Sequence, residues 1–474
     1  MENNHKRGKE EAFRDTISTV DEEGKRKWLY PKKPVGKYTN YRTYLSYVLL
    51  LMLFGTPWVK IGGEPLLMIN VVTRKFVLFG QVFWPQDFYL FGLIMVTLVI
   101  FVVLFTTVYG RVFCGWLCPQ TIFMEMVYRK IEYWIDGDHK QQERLTKQKW
   151  DAEKIRKRIF KYTIFYLIAL AISHTFLAYI IGSDGLIEIQ TSPMQEHLGG
   201  FLTIIGFSWV FFFVYAWFRE QVCLIVCPYG RLQGVMLDRN SLVVAYDYIR
   251  GERKEGRAKF RKNENRKELG KGDCIDCNQC VDVCPTGIDI RNGTQLECIN
   301  CTACMDACDF IMLKTNQDQG LIRLDSENAI ADKTKKRTTI RTKAYSAILL
   351  LLVVFIVYLF TLRGNMETTI LRTPGMLFQE QEGGFITNLY NVKVINKSNK
   401  ELHLTFEIID GKGTIEMVGG EVLSVEKGKS GQQAFFIKIH QDDLKIKKTP
   451  IVIGVYKDGE LMEKNKTNFL GPNK

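Results

Sequence analysis

Eight of the twelve cysteines in this 474-residue chain fall into two runs of one spacing between Cys274 and Cys308, which constrains the fold more than any other feature. Cys274-Ile-Asp-Cys277-Asn-Gln-Cys280-Val-Asp-Val-Cys284-Pro285 follows C-x2-C-x2-C-x3-C-P at every position, the pattern of bacterial two-cluster ferredoxins. Three closely spaced thiolates can wrap one 4Fe-4S cubane, while the fourth is carried away to the neighbouring cluster. A partner run is therefore required, and Cys298, Cys301, Cys304 and Cys308 supply it, with Asp309 in place of the final proline. The expected ligand sets cross over: Cys274, Cys277, Cys280 and Cys308 for one cluster, Cys298, Cys301, Cys304 and Cys284 for the other. Zinc also binds C-x2-C pairs but has no use for four cysteines repeated so closely. Such clusters carry single electrons, and their spacing names neither donor nor acceptor.

The second constraint is apolar. Residues 88–110, 199–218 and 344–362 contain no charge, and each reaches the ~20 residues that cross a bilayer as a helix. Residues 162–182 are as long but include His174, and 43–59 are fewer and carry Pro57; counting both gives five spans. The net charge of +13 could suggest nucleic acid, but the basic residues sit beside one set of helix ends, so no nucleic-acid partner is expected. Eleven Lys and Arg lie in 1–42 and nine in 139–162, whereas 183–198 has none and carries Asp184, Glu188 and Glu196. The basic ends are expected to be cytoplasmic, in a bacterial inner membrane, with 363–474 outside. Ten more Lys and Arg in 250–271 read as a solvated surface facing lipid. The polar first 42 residues lack a secretory signal pattern, so the first span is read as an uncleaved anchor. No cysteine lies beyond 308, so the thiols are expected to stay reduced for metals rather than form disulfides.

The expected fold is thus an α-helical membrane protein of five transmembrane helices, with an inserted α+β two-cluster ferredoxin domain and a C-terminal all-β immunoglobulin-like sandwich. Its parts are a cytoplasmic segment 1–42, a four-helix region 43–240, the ferredoxin domain 241–343, a fifth span 344–362 and a periplasmic domain 363–474. In the last, alternating segments at 389–395, 402–409, 433–439 and 450–456 are separated by Gly, Asn, Asp and Lys, as in a sandwich of about 100 residues. Its His403 and His440 are single and far apart, and read as surface residues.

The other four cysteines form two C-x3-C-P pairs, Cys114 with Cys118 after the second span and Cys223 with Cys227 after the fourth. Each has an arginine upstream, Arg111 or Arg219, and an amphipathic stretch downstream, so spans one-two and three-four read as an internal repeat. On a helical turn each pair presents two thiols on one face. Soft thiolates suit Cu(I), zinc or iron-sulfur; the four could handle copper, act as redox dithiols, hold a further cluster or zinc, or be inert. His174, in mid-span, is a candidate contact for quinone, haem or metal, or else a histidine hydrogen-bonded within the bundle. Met124, Met126 and Met236 follow the pairs and are thioether ligands or packing residues.

The stretches CGWLCP, CLIVCP, CIDCNQCVDVCPTGID and CINCTACMDACD, with VLFGQVFWPQD at 77–87 and NLYNVKVINK at 388–397, resemble the CcoG/FixG (RdxA) family of cytochrome c oxidase accessory proteins, membrane polyferredoxins, over nearly the whole chain. The resemblance implies a membrane electron-transfer protein with two 4Fe-4S clusters that assists assembly of cbb-type oxidases by reducing Cu(II) to Cu(I), a cupric reductase. It makes Cys114, Cys118, Cys223 and Cys227 the copper-handling positions, and oxidase subunits or copper chaperones the partners, besides membrane lipid; a homodimer is compatible with it. Two other readings are a quinol dehydrogenase feeding a periplasmic reductase, with His174 at the quinone, and a non-catalytic assembly factor.

Overall fold

The structure is a computed structural model describing residues 18–472, apart from 22, 72, 263, 333–338, 365, 399, 421 and 445. Four of the eleven basic residues counted in 1–42 precede residue 18 and lie outside the described residues.

Among the described residues, four helices are long and apolar enough to cross a membrane: Phe88–Tyr109, Ala152–Thr191, Leu198–Phe218 and Ile340–Leu362. Their length follows from uninterrupted apolar sequence; the 22 residues of Phe88–Tyr109 rise about 33 Å, enough for the hydrocarbon core. Ala152–Thr191 breaks at Gly182, whose φ of 83° lies outside the helical region, where the third span was expected to end. Beyond it, the acidic stretch expected to be a loop continues as helix to Thr191. The first expected span, 43–59, falls mostly in the helix Lys37–Gly55, 19 residues long, which is not among the four. Its first half, with Tyr38, Thr39, Asn40 and Arg42, is polar, so only the second half is strongly apolar.

Two compact units form. The first takes in the chain up to Trp58 and Phe91–Phe355. In it the cysteine runs lie between the paired strands Val243–Tyr246 and Ile322–Asp325, registered Val243 to Asp325 and Tyr246 to Ile322. Val244, Tyr246, Ile288, Ile290, Met305 and Met312 pack with Cys274 and Cys280 in one core. In the basic stretch 250–271, Lys254, Arg257, Lys259, Arg261, Lys262 and Lys267 are exposed, as a solvated surface requires, but three of the arginines are held inward. Arg266 is buried, donating to the carbonyls of Ala258, Gly272 and Cys274, and Arg250 and Arg253 both pair with Asp273. The backbone turns that bring the chain back to Cys274 leave carbonyls that only such long donors reach.

The second unit joins Val59–Leu90 to the chain from Ile356 onward. All four expected β-segments are strands, within Phe385–Asn396, Leu402–Asp410, Ser430–His440 and Lys448–Lys457. One sheet runs Thr414–Met417, Ser430–His440, Phe385–Asn396, Met366–Arg372; the other runs Leu423–Val425, Leu402–Asp410, Lys448–Lys457, Glu460–Leu470. Leu402, Leu404 and Phe406 point inward while His403, Thr405 and Glu407 point out, as a period of two requires. Tyr390, Phe435 and Phe406 stack in the core, with centroids 5.7 and 5.9 Å apart. The strands Leu67–Asn70, Lys75–Leu78 and Gln81–Phe83 form a small antiparallel sheet in the same unit. Asp87, 3% exposed, anchors that sheet to the sandwich: Lys397 Nζ reaches Oδ1 at 2.7 Å and Arg363 Nη2 reaches Oδ2 at 2.9 Å. Burial alone would raise this carboxyl, but hydrogen bonds from Lys397 and Arg363 outweigh it and hold it below the ordinary value. Asp87 and Lys397 are the last residues of the two resembling stretches outside the cysteine motifs, 310 positions apart.

Candidate metal centre

Each ferredoxin run takes an unusual backbone at its middle cysteine. Asp276 and Asn278 flank Cys277 with φ of 54° and 58°, and Asn300 and Thr302 flank Cys301 with φ of 53° and 64°. Asp and Asn tolerate this left-handed region, but for β-branched Thr302 it is strained. Alternating hands turn successive N–H groups to one side, a cradle for negative charge. The amides of Asn300 and Ala303 bond the sulfurs of Cys298 and Cys301.

The two runs interleave. One cavity is lined by Cys284 of the first run together with Cys298, Cys301 and Cys304 of the second, and by Cys280. Cys308 in turn sits close enough to Cys274, Cys277 and Cys280 to feel their charge. The crossed sets thus lie side by side. Burial pushes the thiols up, Cys280 and Cys298 to about 12 and Cys301 to about 11, so these sites hold thiolates only with a cation among them. A donor set of crossed thiols, seven of the eight buried or half-buried, over amide cradles fits iron-sulfur clusters. Among these eight, Cys277 is the exposed one.

The C-x3-C-P pairs repeat in structure as in sequence. Cys114 lies in a π-turn, Phe113–Leu117, and Cys223 in another, Val222–Val226. Cys118 and Cys227 close these turns through N–H bonds to the carbonyls of Phe113 and Val222, then precede Pro119 and Pro228 at the first turn of a following helix. The expected helical turn is therefore a wider one, a form that recurs at functional sites. All four thiols converge: Cys223 faces the other three, and Cys118 faces Cys227. Burial, followed by these neighbours, pushes Cys223 up to about 12. Cys114 Sγ donates to Gln233 Oε1 at 3.3 Å, and Arg111 Nε donates to the same oxygen at 2.5 Å. Among the described residues, no three His, Cys, Asp or Glu side chains are gathered closely enough to hold a single bare ion.

The pairs and the clusters share one apolar packing. Cys114 packs with Ile299, Cys301 and Ala303, against Cys304 and Tyr229. A Cβ on Gly115 would lie 2.4 Å from the Ile299 carbonyl, so only glycine allows this approach. Trp116 Nε1 donates to the Asn300 carbonyl at 3.2 Å, and Arg42 Nε donates to the Gly115 carbonyl at 2.6 Å.

Next to Cys223, charges are buried as a network. Arg219, the arginine upstream of that pair, grips both oxygens of Glu132 at 2.9 and 2.7 Å. Arg129, 1% exposed, lies 3.4 Å from Glu125 and 3.6 Å from Glu220. Burial would raise the Glu132 carboxyl, but Arg219 and Lys161 overcome it and hold it at about 2. Met124 lines a small cavity with Cys223, while Met126 is buried and Met236 half-buried. His174 donates from Nδ1 to the Leu170 carbonyl of its own helix at 2.7 Å, which satisfies the ring locally.

Several relatives share this arrangement of sequence. Protein RdxB of Cereibacter sphaeroides is 32% identical over 79% of this chain and 80% of its own. The chain belongs to the FixG/RdxA family. RdxA of the same organism is 30% identical over 83% of this chain and 84% of its own, and the nitrogen fixation protein FixG of Rhizobium meliloti is 34% identical over 63% and 57%. Family models match a 4Fe-4S dicluster domain at 218–327, a 4Fe-4S binding domain at 91–138 and the Ig-like fold at the C-terminus of FixG at 356–472. This FixG/RdxA family member is a membrane iron-sulfur protein of electron transfer.

Proposed function

We propose that this protein reduces Cu(II) to Cu(I) at Cys114, Cys118, Cys223 and Cys227 and so assists assembly of a cbb-type cytochrome c oxidase. The observation that carries the reading is the packing of Cys114 against Cys301 and Cys304. The ligands are Cys274, Cys277, Cys280 and Cys308 for a distal 4Fe-4S cluster, and Cys284, Cys298, Cys301 and Cys304 for a proximal one. Clusters bound there supply one-electron transfer. Exposed Cys277 marks the side where an external donor delivers the electron. Buried Cys301 and half-buried Cys304 limit water along the next stage, and Cys114 receives the path at the thiol group. One electron converts one Cu(II) to Cu(I), which soft thiolates then hold better. Two thiolates suffice for Cu(I), which suits four converging thiols that form no tight cage for one ion, and suits cargo that must leave.

Topologically we propose five crossings, with the N-terminus and the cysteines cytoplasmic and the sandwich periplasmic. Lys37–Gly55 begins beside Gly115, near one end of Phe88–Tyr109, and leads into residues 59–87, which return to the other end of that helix. Residues 59–87 pack on the sandwich, so both lie on one side. The sandwich is then placed to dock oxidase subunits or a copper chaperone.

The 4Fe-4S binding-domain match at 91–138 includes Cys114 and Cys118 and favours a second reading, in which the four thiols hold a further cluster. Replacing Cys114, Cys118, Cys223 and Cys227 together by serine separates the two. The copper reading expects lost cupric reduction with iron unchanged at about eight per chain; the further-cluster reading expects a fall from about twelve to eight. Cupric reduction that persists in this variant sinks the site assignment.

A further inference from the structure

Beside the buried charge network lies a cavity of about 370 Å³, lined by Lys154, Arg158, Lys161, Arg219, Glu132 and Asp136. Its charges do not balance. Arg219 occupies both oxygens of Glu132, and Lys161 Nζ sits 2.5 Å from Asp136 Oδ2. That leaves two cations. Lys154, 6% exposed, donates only to neutral carbonyls, of Thr146 at 3.0 Å and Gln148 at 2.6 Å. Arg158 reaches Thr146 Oγ1 at 3.3 Å and comes no nearer to Asp136 than 3.9 Å. The other acids of the packed elements are engaged: Glu153 pairs with Lys157 and Glu143 with Lys147, and exposed Asp151, whose charge Lys154 feels, accepts from Gln148 Nε2 and from the Lys154 amide that it caps. One buried and one half-buried positive charge lining a cavity call for an anion carrying about two charged oxygens, and a guanidinium beside an ammonium is a phosphate-binding pair.

The surroundings belong to a membrane edge. Trp150 lines the cavity and is 73% exposed, Trp134 nearby is 71% exposed, and the helix turns apolar at Tyr162, another lining residue. Exposed aromatics at such a boundary sit at headgroup level. A quinol headgroup fits less well, since Arg219 holds both oxygens of Glu132 and Lys161 holds Asp136 Oδ2, which leaves the buried Asp136 Oδ1 as the one oxygen of the two carboxylates without a hydrogen bond.

We infer that this cavity binds the phosphate of an anionic phospholipid headgroup through Arg158 and Lys154. The N-terminal strap completes it. Trp28 and Tyr30 line the cavity, with Tyr30 Oη 3.0 Å from Thr146 Oγ1. The same strap sends Arg26 to Glu220 at 3.3 Å, near Cys223, and Lys32 to Gln279 at 2.7 Å, beside Cys280. A bound headgroup therefore steadies the segment that reaches both the thiol group and the first cysteine run. The inference does not depend on copper being the substrate.

The test uses the full-length protein, delipidated in mild detergent, with phosphatidylglycerol, phosphatidylcholine or inorganic phosphate added back and adducts counted by native mass spectrometry. One phosphatidylglycerol per chain is expected, with no phosphatidylcholine, and about tenfold weaker retention in Arg158→Gln. Equal retention of the two lipids, or retention unchanged in Arg158→Gln, overturns the inference; binding of inorganic phosphate without phosphatidylglycerol assigns the cavity to a free anion and overturns the lipid. If Arg158→Gln does not fold, hydrogen exchange of residues 26–33 in the wild-type protein decides: slowing by phosphatidylglycerol alone supports the site, and equal exchange in both lipids refutes it.

Discussion

Glu132 shows what single residues contribute near the thiols. Its carboxylate is buried and held by Arg219 and Lys161, so removing the charge takes from Arg219 its two-oxygen partner and leaves Lys161 with Asp136 alone. Glu132→Gln is expected to cost about 3–5 kcal/mol, read as a lowered unfolding midpoint in detergent. Its folded value of about 2 lies below the ordinary 4.5, so its stabilisation is fully present above about pH 4.5 and is lost as pH falls toward 2. A melting series over that range in wild type and variant checks this; parallel curves would contradict it. Of this network only Arg219 stood out in sequence, as the arginine before the second cysteine pair. Lys154 and Lys161 were counted in a basic run that marks a membrane side, and nothing local says that their ammonium groups turn inward. The ferredoxin cysteines were legible because their spacing is itself the geometry. The left-handed residues were half legible, since Asp276, Asn278 and Asn300 tolerate that region while Thr302 gives no such sign.

At the scale of elements, the C-x3-C-P repeat was readable, but the width of its turn was not. Spacing alone suggested an ordinary helical turn; the i to i+5 closure from Phe113 to Cys118 arises from the proline that follows and from packing against Ile299. The first helix was the hardest element to read, because Tyr, Thr, Asn and Arg make its first half polar and leave only a short apolar run. Gly115 gives the sharpest test of how the elements meet. Gly115→Ala forces the Ile299–Asn300 loop away from Cys114, so cupric reduction is expected to slow by about tenfold to 100-fold, with iron content unchanged. A rate equal to wild type would show that the close approach carries no electrons.

Over the whole molecule, the β-segments were legible from alternation, whereas the joining of residues 59–87 to the sandwich was not, since Asp87 and Lys397 lie far apart in the chain. Asp87→Ala takes from Arg363 its carboxylate and leaves Lys397 with Glu367 alone, and is expected to destabilise that unit by about 3–5 kcal/mol. Limited proteolysis should then cut the sandwich faster while cluster absorbance stays constant; loss of the clusters as well would mean that the two units do not unfold separately. The central claim is that electrons stored between Cys274 and Cys308 leave through the four membrane-edge thiols to copper. The most direct measurement mixes anaerobically reduced protein with Cu(II) and follows cluster EPR and Cu(I) together. The account predicts about two Cu(I) formed per chain as the cluster signals vanish, and neither change in the variant carrying serine at Cys114, Cys118, Cys223 and Cys227. Cluster signals that persist beside Cu(II), or that vanish equally fast in the variant, would contradict it.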